Sequence, residues 1–200
     1  MTHSVFIVGA ARTAIGSFGG SLRGLSPAYL GEHVTREVVS RSGVELDSIQ
    51  SQVVGHVIRT DIKDAYIARR ISLNAGLPVH TQSLTLNRLC GSGLEAITFA
   101  SQQIQLGEVG VAVAGGAESM SSAAHLLTTN RWGQKMGDGV IQDELTGALT
   151  DPFGVGHMGV TAENLAEKYS ITREQQDEFA YRSHQRAQAA TVEGRFRREI

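Results

Sequence analysis

Residues 83–116 read SLTLNRLCGSGLEAITFASQQIQLGEVGVAVAGG, and this stretch decides the fold. Leu84 and Leu86 alternate with Ser83, Thr85 and Asn87, which is the period of a strand with two different faces. From Leu94 to Leu106 the spacing turns helical, with Ile97 and Ile104 on a shared face and Gly107 at the end. Val111 to Ala114 is a short apolar run closed by Gly115-Gly116, the signal of a buried strand.

The same alternation extends upstream. Val5 to Val8, closed by Gly9, predicts another buried strand. Ser26-Pro27 reads as an N-cap followed by proline at the first helical position. Leu30, Val34 and Val38 then give that helix one apolar stripe, and Gly43 stops it. Val53 to Ile58 predicts a strand. Ile67, Ile71 and Ala75 mark a second helix that ends at Gly76 and Pro78. Strands alternating with helices predict an α/β layered domain with a largely parallel sheet.

Downstream the character changes. Residues 119–160 are rich in Gly and Ser and hold few long apolar runs. A stretch of that length in a compact domain predicts an inserted lid or subdomain rather than bare loop. Thr161 to Tyr169 reads as a short helix. Thr172 and Gln175 have capping-box spacing and open a helix that carries Phe179, Ser183, Ala187 and Ala190 and ends at Gly194. The expected division is a core over 1–118 and a lid subdomain with its returning helix over 119–200.

Bulk properties narrow the function classes. A formal net charge of -2 gives no basic field for nucleic acid or an anionic membrane. No apolar run reaches membrane-spanning length. The single cysteine excludes an internal disulfide and suits a reducing compartment. Met1-Thr2-His3-Ser4 leads straight into an apolar run without a transit or signal pattern, so the expected location is cytoplasmic. His3, His33, His56, His80, His125 and His184 show no metal-ligand spacing and receive no role; no metal site is expected.

The chemistry centres on Cys90, at the junction of a strand and a helix. Unpaired N–H groups and the positive end of the helix dipole favour a thiolate there. The same N–H groups are expected to point at a substrate carbonyl oxygen. Gly91 and Gly93 remove side chains, so an acyl chain can approach the backbone closely. Residue types alone leave a second reading open, that of a small buried hydrophobe. Ser92 does not sit in the Gly-x-Ser-x-Gly hydrolase elbow and reads as a helix-start residue.

Asn87 to Ala96, NRLCGSGLEA, resembles the active-site signature of thiolases. Three further segments resemble the family in the right order: Val8 to Thr13 with Ile15-Gly16 and Phe18-Gly19-Gly20; Gly115 to Ser121; and His157 to Asn164, HMGVTAEN. The last is similar to the run found in acetoacetyl-CoA and short-chain ketothiolases. The resemblance covers essentially the whole chain. It implies a thiolase-like layered α/β/α domain and acyl transfer between acyl-CoA thioesters through an acyl-cysteine on Cys90 (acetyl-CoA C-acetyltransferase or 3-ketoacyl-CoA thiolase). Coenzyme A or acyl-CoA would be the substrate, with no covalently bound cofactor. Leu149, His157 and Met158 would cover coenzyme A and the acyl pocket. Arg131 and Lys135 would lie in a cationic loop used in tetramer contacts and in attracting the anionic coenzyme, whereas charge alone reads them as solvated surface residues. A homodimer or homotetramer and a place in fatty acid metabolism follow from the same resemblance, while the expectation of no nucleic-acid or membrane partner rests on the charge and apolar-run lengths above.

The chain also departs from the family. Thiolases activate the nucleophile with the histidine of a Gly-His-Pro motif and move the substrate proton with a second cysteine in Cys-x-Gly. Neither is in these 200 residues. The sequence therefore reads as the N-terminal half of a thiolase, inactive by itself, or completed by another chain. The alternative is a non-catalytic coenzyme A- or lipid-binding relative or decayed paralogue. A β-ketoacyl synthase, which shares the fold and a nucleophilic cysteine, is disfavoured by NRLCGSGLEA and HMGVTAEN.

Overall fold

The computed structural model describes residues 4–200; Met1 to His3, on which most of the reading of a start without transit or signal pattern rests, lie outside the described residues. The chain divides into two compact units, the first running to Leu145 and the second from Thr146 to Ile200.

The first unit is built on three parallel strands: β1 (Ser51–Gly55), β2 (Gln82–Leu86) and β3 (Ala112–Gly116), in the order β2-β1-β3. β1 is central and buried along its whole length. Its register pairs Ser51 with both Gln82 and Ala112, and Gly55 with both Leu86 and Gly116. All three strands therefore end at one level, and the segments that follow leave from a common carboxyl edge.

Three helices sandwich this sheet: α1 (Pro27–Ser42), α2 (Ile67–Ala75) and α3 (Ser92–Gln105). Successive β1 residues point to opposite faces. Val54 packs with Ala28 of α1 and with Ile67, Ala68 and Ile71 of α2. Val53 packs with Ala96 and Ala100 of α3, together with Leu86, Ala112 and Ala114. The result is the α/β/α layering expected from the sequence. The predicted helix ends hold as well. The Ser26 hydroxyl accepts from the Tyr29 N–H, and Gly43 and Gly76 close α1 and α2 with φ of 68° and 91°.

Two strand expectations need correction. The second strand ends at Gly55, not Ile58, because the Val57 and Ile58 N–H groups are captured by the Glu118 carboxylate at 3.0 and 3.1 Å. Val5 to Val8 is not a strand, and Phe6 and Ile7 are each 79% exposed. A hypothetical Cβ on Gly9 would stand 3.1 Å from Ser42 Cβ and 3.2 Å from Val38 O, so the segment lies against α1. A cavity of about 540 Å³ lies between residues 5–13 and residues 111–118. The expected stripe Leu30, Val34 and Val38 lines this cavity and is only half-buried. β3 is half-buried for the same reason, since β1 is its sole strand neighbour among the described residues.

After Ala117 the first unit continues into a hairpin of β4 (His125–Leu127) and β5 (Ile141–Asp143), which are antiparallel. A short helix, α4 (Glu144–Ala148), carries the boundary between the units. In the second unit β6 (Thr150–Asp151) pairs antiparallel with β7 (Gly156–His157). α5 (Met158–Lys168) follows three residues earlier than periodicity suggested, because His157 itself caps it. α6 (Arg173–Val192) opens on the expected capping box of Thr172 and Gln175. It buries none of its residues, and Phe179 is exposed.

Candidate active site

The turn from β2 into α3 places Cys90 immediately before Gly91, the N-cap of α3, and exposes it to solvent. Leu89 has φ of 50°, a left-handed conformation that costs a non-glycine residue roughly 1–2 kcal/mol. The Asn87 side chain offsets part of this by accepting the Leu89 N–H at 2.9 Å. Ser92 is buried and braces the turn from inside. Its hydroxyl accepts from the Arg88 N–H at 2.8 Å and donates to Leu89 O at 2.6 Å. That is a structural role, as its place at the helix start suggested. Arg88 and Glu95 pair at 2.8 Å over the outside of the turn, where exposure limits what the pair contributes.

One expectation about this turn is narrowed. The Gly91 and Ser92 N–H groups, the two that follow Cys90, already donate to Arg88 O at 3.1 Å and Leu89 O at 2.9 Å. They close the turn, so they are not free donors for a substrate oxygen.

The turn rests on a floor of backbone. A Cβ on Gly55 would come within 2.7 Å of Ser92 C and O, and one on Gly116 within 3.6 Å of Gly93 Cα. Only glycine at the end of β1 lets the first turn of α3 settle this close to the sheet. Behind the floor lies a polar cluster that sequence spacing did not reveal. His56 Nδ1 is 2.8 Å from Ala117 O and 3.3 Å from Glu118 Oε1. His56 Nε2 is 3.8 Å from Asp64 Oδ2. The Asp64 side chain is wholly buried; one oxygen accepts from Thr60 N, Thr60 Oγ1 and Asp61 N, and the other pairs with Arg70 at 3.1 Å. Burial pushes the Asp64 carboxyl up, but these Thr60 and Asp61 hydrogen bonds, with the nearby His56, outweigh it and hold the group below the ordinary carboxylate range. The signal for this cluster was absent from the sequence because its members come from three separate segments. Among the described residues no group of three His, Cys, Asp or Glu side chains could hold a metal ion.

Residues 5–200 match the family model described as the thiolase N-terminal domain. The chain belongs to the thiolase family. It is 50% identical over 200 residues to the β-ketothiolase BktB of Cupriavidus necator, covering 100% of this chain and 51% of that protein. It is 41% identical to an acetyl-CoA acetyltransferase of Syntrophomonas wolfei, with the same coverage. Among solved structures, the acetyl-CoA acetyltransferase of Bacillus anthracis superposes with a TM-score of 0.95 at 44% identity, over 100% of this chain and 50% of that one. Human mitochondrial 3-ketoacyl-CoA thiolase in complex with CoA superposes with a TM-score of 0.94 at 38% identity, over 97% of this chain and 50% of that one. This thiolase chain thus spans about half the length of the curated relatives it matches.

The remaining candidate residues of the thiolase chain fall in two places. Leu149, His157 and Met158 come together within the second unit: Thr150 pairs with His157, and the Met158 N–H donates to Leu149 O at 2.8 Å. His157 Nδ1 accepts the Gly159 N–H at 3.1 Å. His157 and Met158 are exposed, and Leu149 is half-buried. Arg131 and Lys135 lie in the first unit, both exposed, in the loop between β4 and β5. No helix among the described residues is long and apolar enough to cross a membrane.

Proposed function

We propose that this chain carries the acyl-accepting part of an acetyl-CoA C-acyltransferase. The carrying observation is the exposed Cys90, held just ahead of α3 by a braced, left-handed turn in a chain of the thiolase family. In the first step the Cys90 thiolate attacks the carbonyl carbon of an acyl-CoA. The thioester C–S bond breaks, and coenzyme A leaves as the thiol once protonated. In the second step the acyl group passes to another coenzyme A, or to the α-carbon of a second acyl-CoA with loss of its α-proton. This is ping-pong covalent catalysis. Leu149, His157 and Met158 are read as coenzyme A and acyl-pocket residues, and Arg131 with Lys135 as the cationic loop of an oligomer. The lid subdomain over 119–200 and a cytoplasmic setting, read from composition, segment length and the N-terminal residues, belong to the same proposal, as do assembly as a dimer or tetramer and a place in fatty acid metabolism, both from family resemblance. No nucleic-acid or membrane partner is part of it.

The alternative is a non-catalytic coenzyme A- or lipid-binding relative or decayed paralogue; within these 200 residues Cys90 is the sole cysteine and no Gly-His-Pro occurs. Incubation with acetyl-CoA followed by peptide mass spectrometry tests the proposal. One acetyl group on the Cys90 peptide, lost in Cys90→Ala, is expected, whereas unmodified Cys90 in folded protein would sink it. The 200-residue chain alone is expected to show no thiolysis of acetoacetyl-CoA; Cys90-dependent turnover would overturn that part.

A further inference from the structure

We propose that His56 is a positioning residue for Cys90, fixing the floor on which the nucleophile turn rests. The proposal deepens the reading of Cys90 as the acyl acceptor. His56 is the first residue beyond β1 and is 6% exposed. Its N–H extends the β1–β2 ladder to Leu86 O at 3.0 Å, the residue four before Cys90. Its side chain reaches the other way. Nδ1–H donates to Ala117 O at 2.8 Å, while the Ala117 N–H donates back across the sheet to Gly55 O at 3.1 Å. One residue therefore binds the ends of all three strands at the carboxyl edge. Gly55 and Gly116, the two floor positions under Ser92 and Gly93, directly precede His56 and Ala117. A shift of either strand end would move the base of α3, and Cys90 with it.

The other side of the ring argues against mere filling. Nε2 is buried without a hydrogen-bond partner, 3.8 Å from Asp64 Oδ2. An orphaned buried nitrogen is a cost that an apolar side chain of similar size would avoid. The cluster gathers Asp64 from the turn after β1, Arg70 from α2 through Asp64, and Glu118 from the end of β3. Glu118 in turn holds the Val57 and Ile58 N–H groups, so His56 is clamped on both flanks. This is the arrangement that keeps three strand ends in one register while leaving the Cys90 side open.

The test is the rate of Cys90 alkylation by iodoacetamide in folded chain, read beside thermal melting. Asn places an amide N–H where Nδ1–H stood; Leu and Gln do not. His56→Asn is expected to label at close to the unsubstituted rate, and His56→Leu and His56→Gln roughly ten-fold or more slowly, as small misplacements of a reacting group carry large rate costs. Should His56→Leu fail to fold, the Asn and Gln pair decides. Equal rates in Asn and Gln, or rates that simply follow melting temperature across the variants, would overturn the proposal. Acetylation by acetyl-CoA is measured alongside. Alkylation in the expected order without any acetylation would reject the acyl-acceptor reading and leave the positioning role standing.

Discussion

At the scale of single residues, the site depends as much on what is absent as on what is present. Gly55 carries no side chain, and Ser92 occupies the space a Cβ would need. Gly55→Ala is therefore expected to lift the start of α3 and destabilise the chain by about 1–3 kcal/mol, the ordinary cost of overpacking. A denaturant midpoint shift with slower Cys90 labelling checks this, and an unchanged midpoint would count against it. The place of Cys90 at a strand-to-helix junction was legible because glycines, a strand pattern and a helix start converge on it, whereas its role as nucleophile was read from the family resemblance. Ser92 was legible as a helix-start residue, though its bracing hydrogen bonds were not. His56 was not legible at all, since a lone histidine after a strand says nothing until Ala117 and Asp64 are seen around it.

At the scale of elements, helices were read more surely than strands. Ser26, Gly43, Gly76 and Thr172 act locally, so caps and terminators show in the sequence at the positions where they work. Strand ends are set by partners far along the chain. β1 stops at Gly55 because Glu118, some sixty residues later, takes the next N–H groups. Residues 5–8 have the composition of a strand, yet a strand needs a neighbour to pair with, and composition cannot supply one. The turn after β1 carries its own pH dependence. Asp64 is held below the ordinary carboxylate range in the folded chain, so it binds its proton more readily when unfolded. Its contribution is complete above the unfolded value of about 4 and is lost as pH falls through the folded one. Asp64→Asn is expected to melt lower than the unsubstituted chain at pH 7 and to narrow that gap below about pH 4. Parallel melting curves over the whole range would contradict this.

At the scale of the whole molecule, layering followed from alternation, because Val53 and Val54 must face opposite ways in a strand buried on both sides. The open cavity beside β3 was not foreseeable, since it records which strand pairs are made rather than which residues favour strands. The outer edge of β3 has no strand partner among the described residues, a template for association. The isolated chain is expected to self-associate as its concentration rises, checked by light scattering; a monomer at every concentration would oppose this. The lone exposed thiol has one more consequence. A maleimide dye or nitroxide would attach at a single known point without any engineering. The rim of the sheet therefore comes with a built-in spectroscopic reporter, whose anisotropy or line shape would register motion of the turn directly.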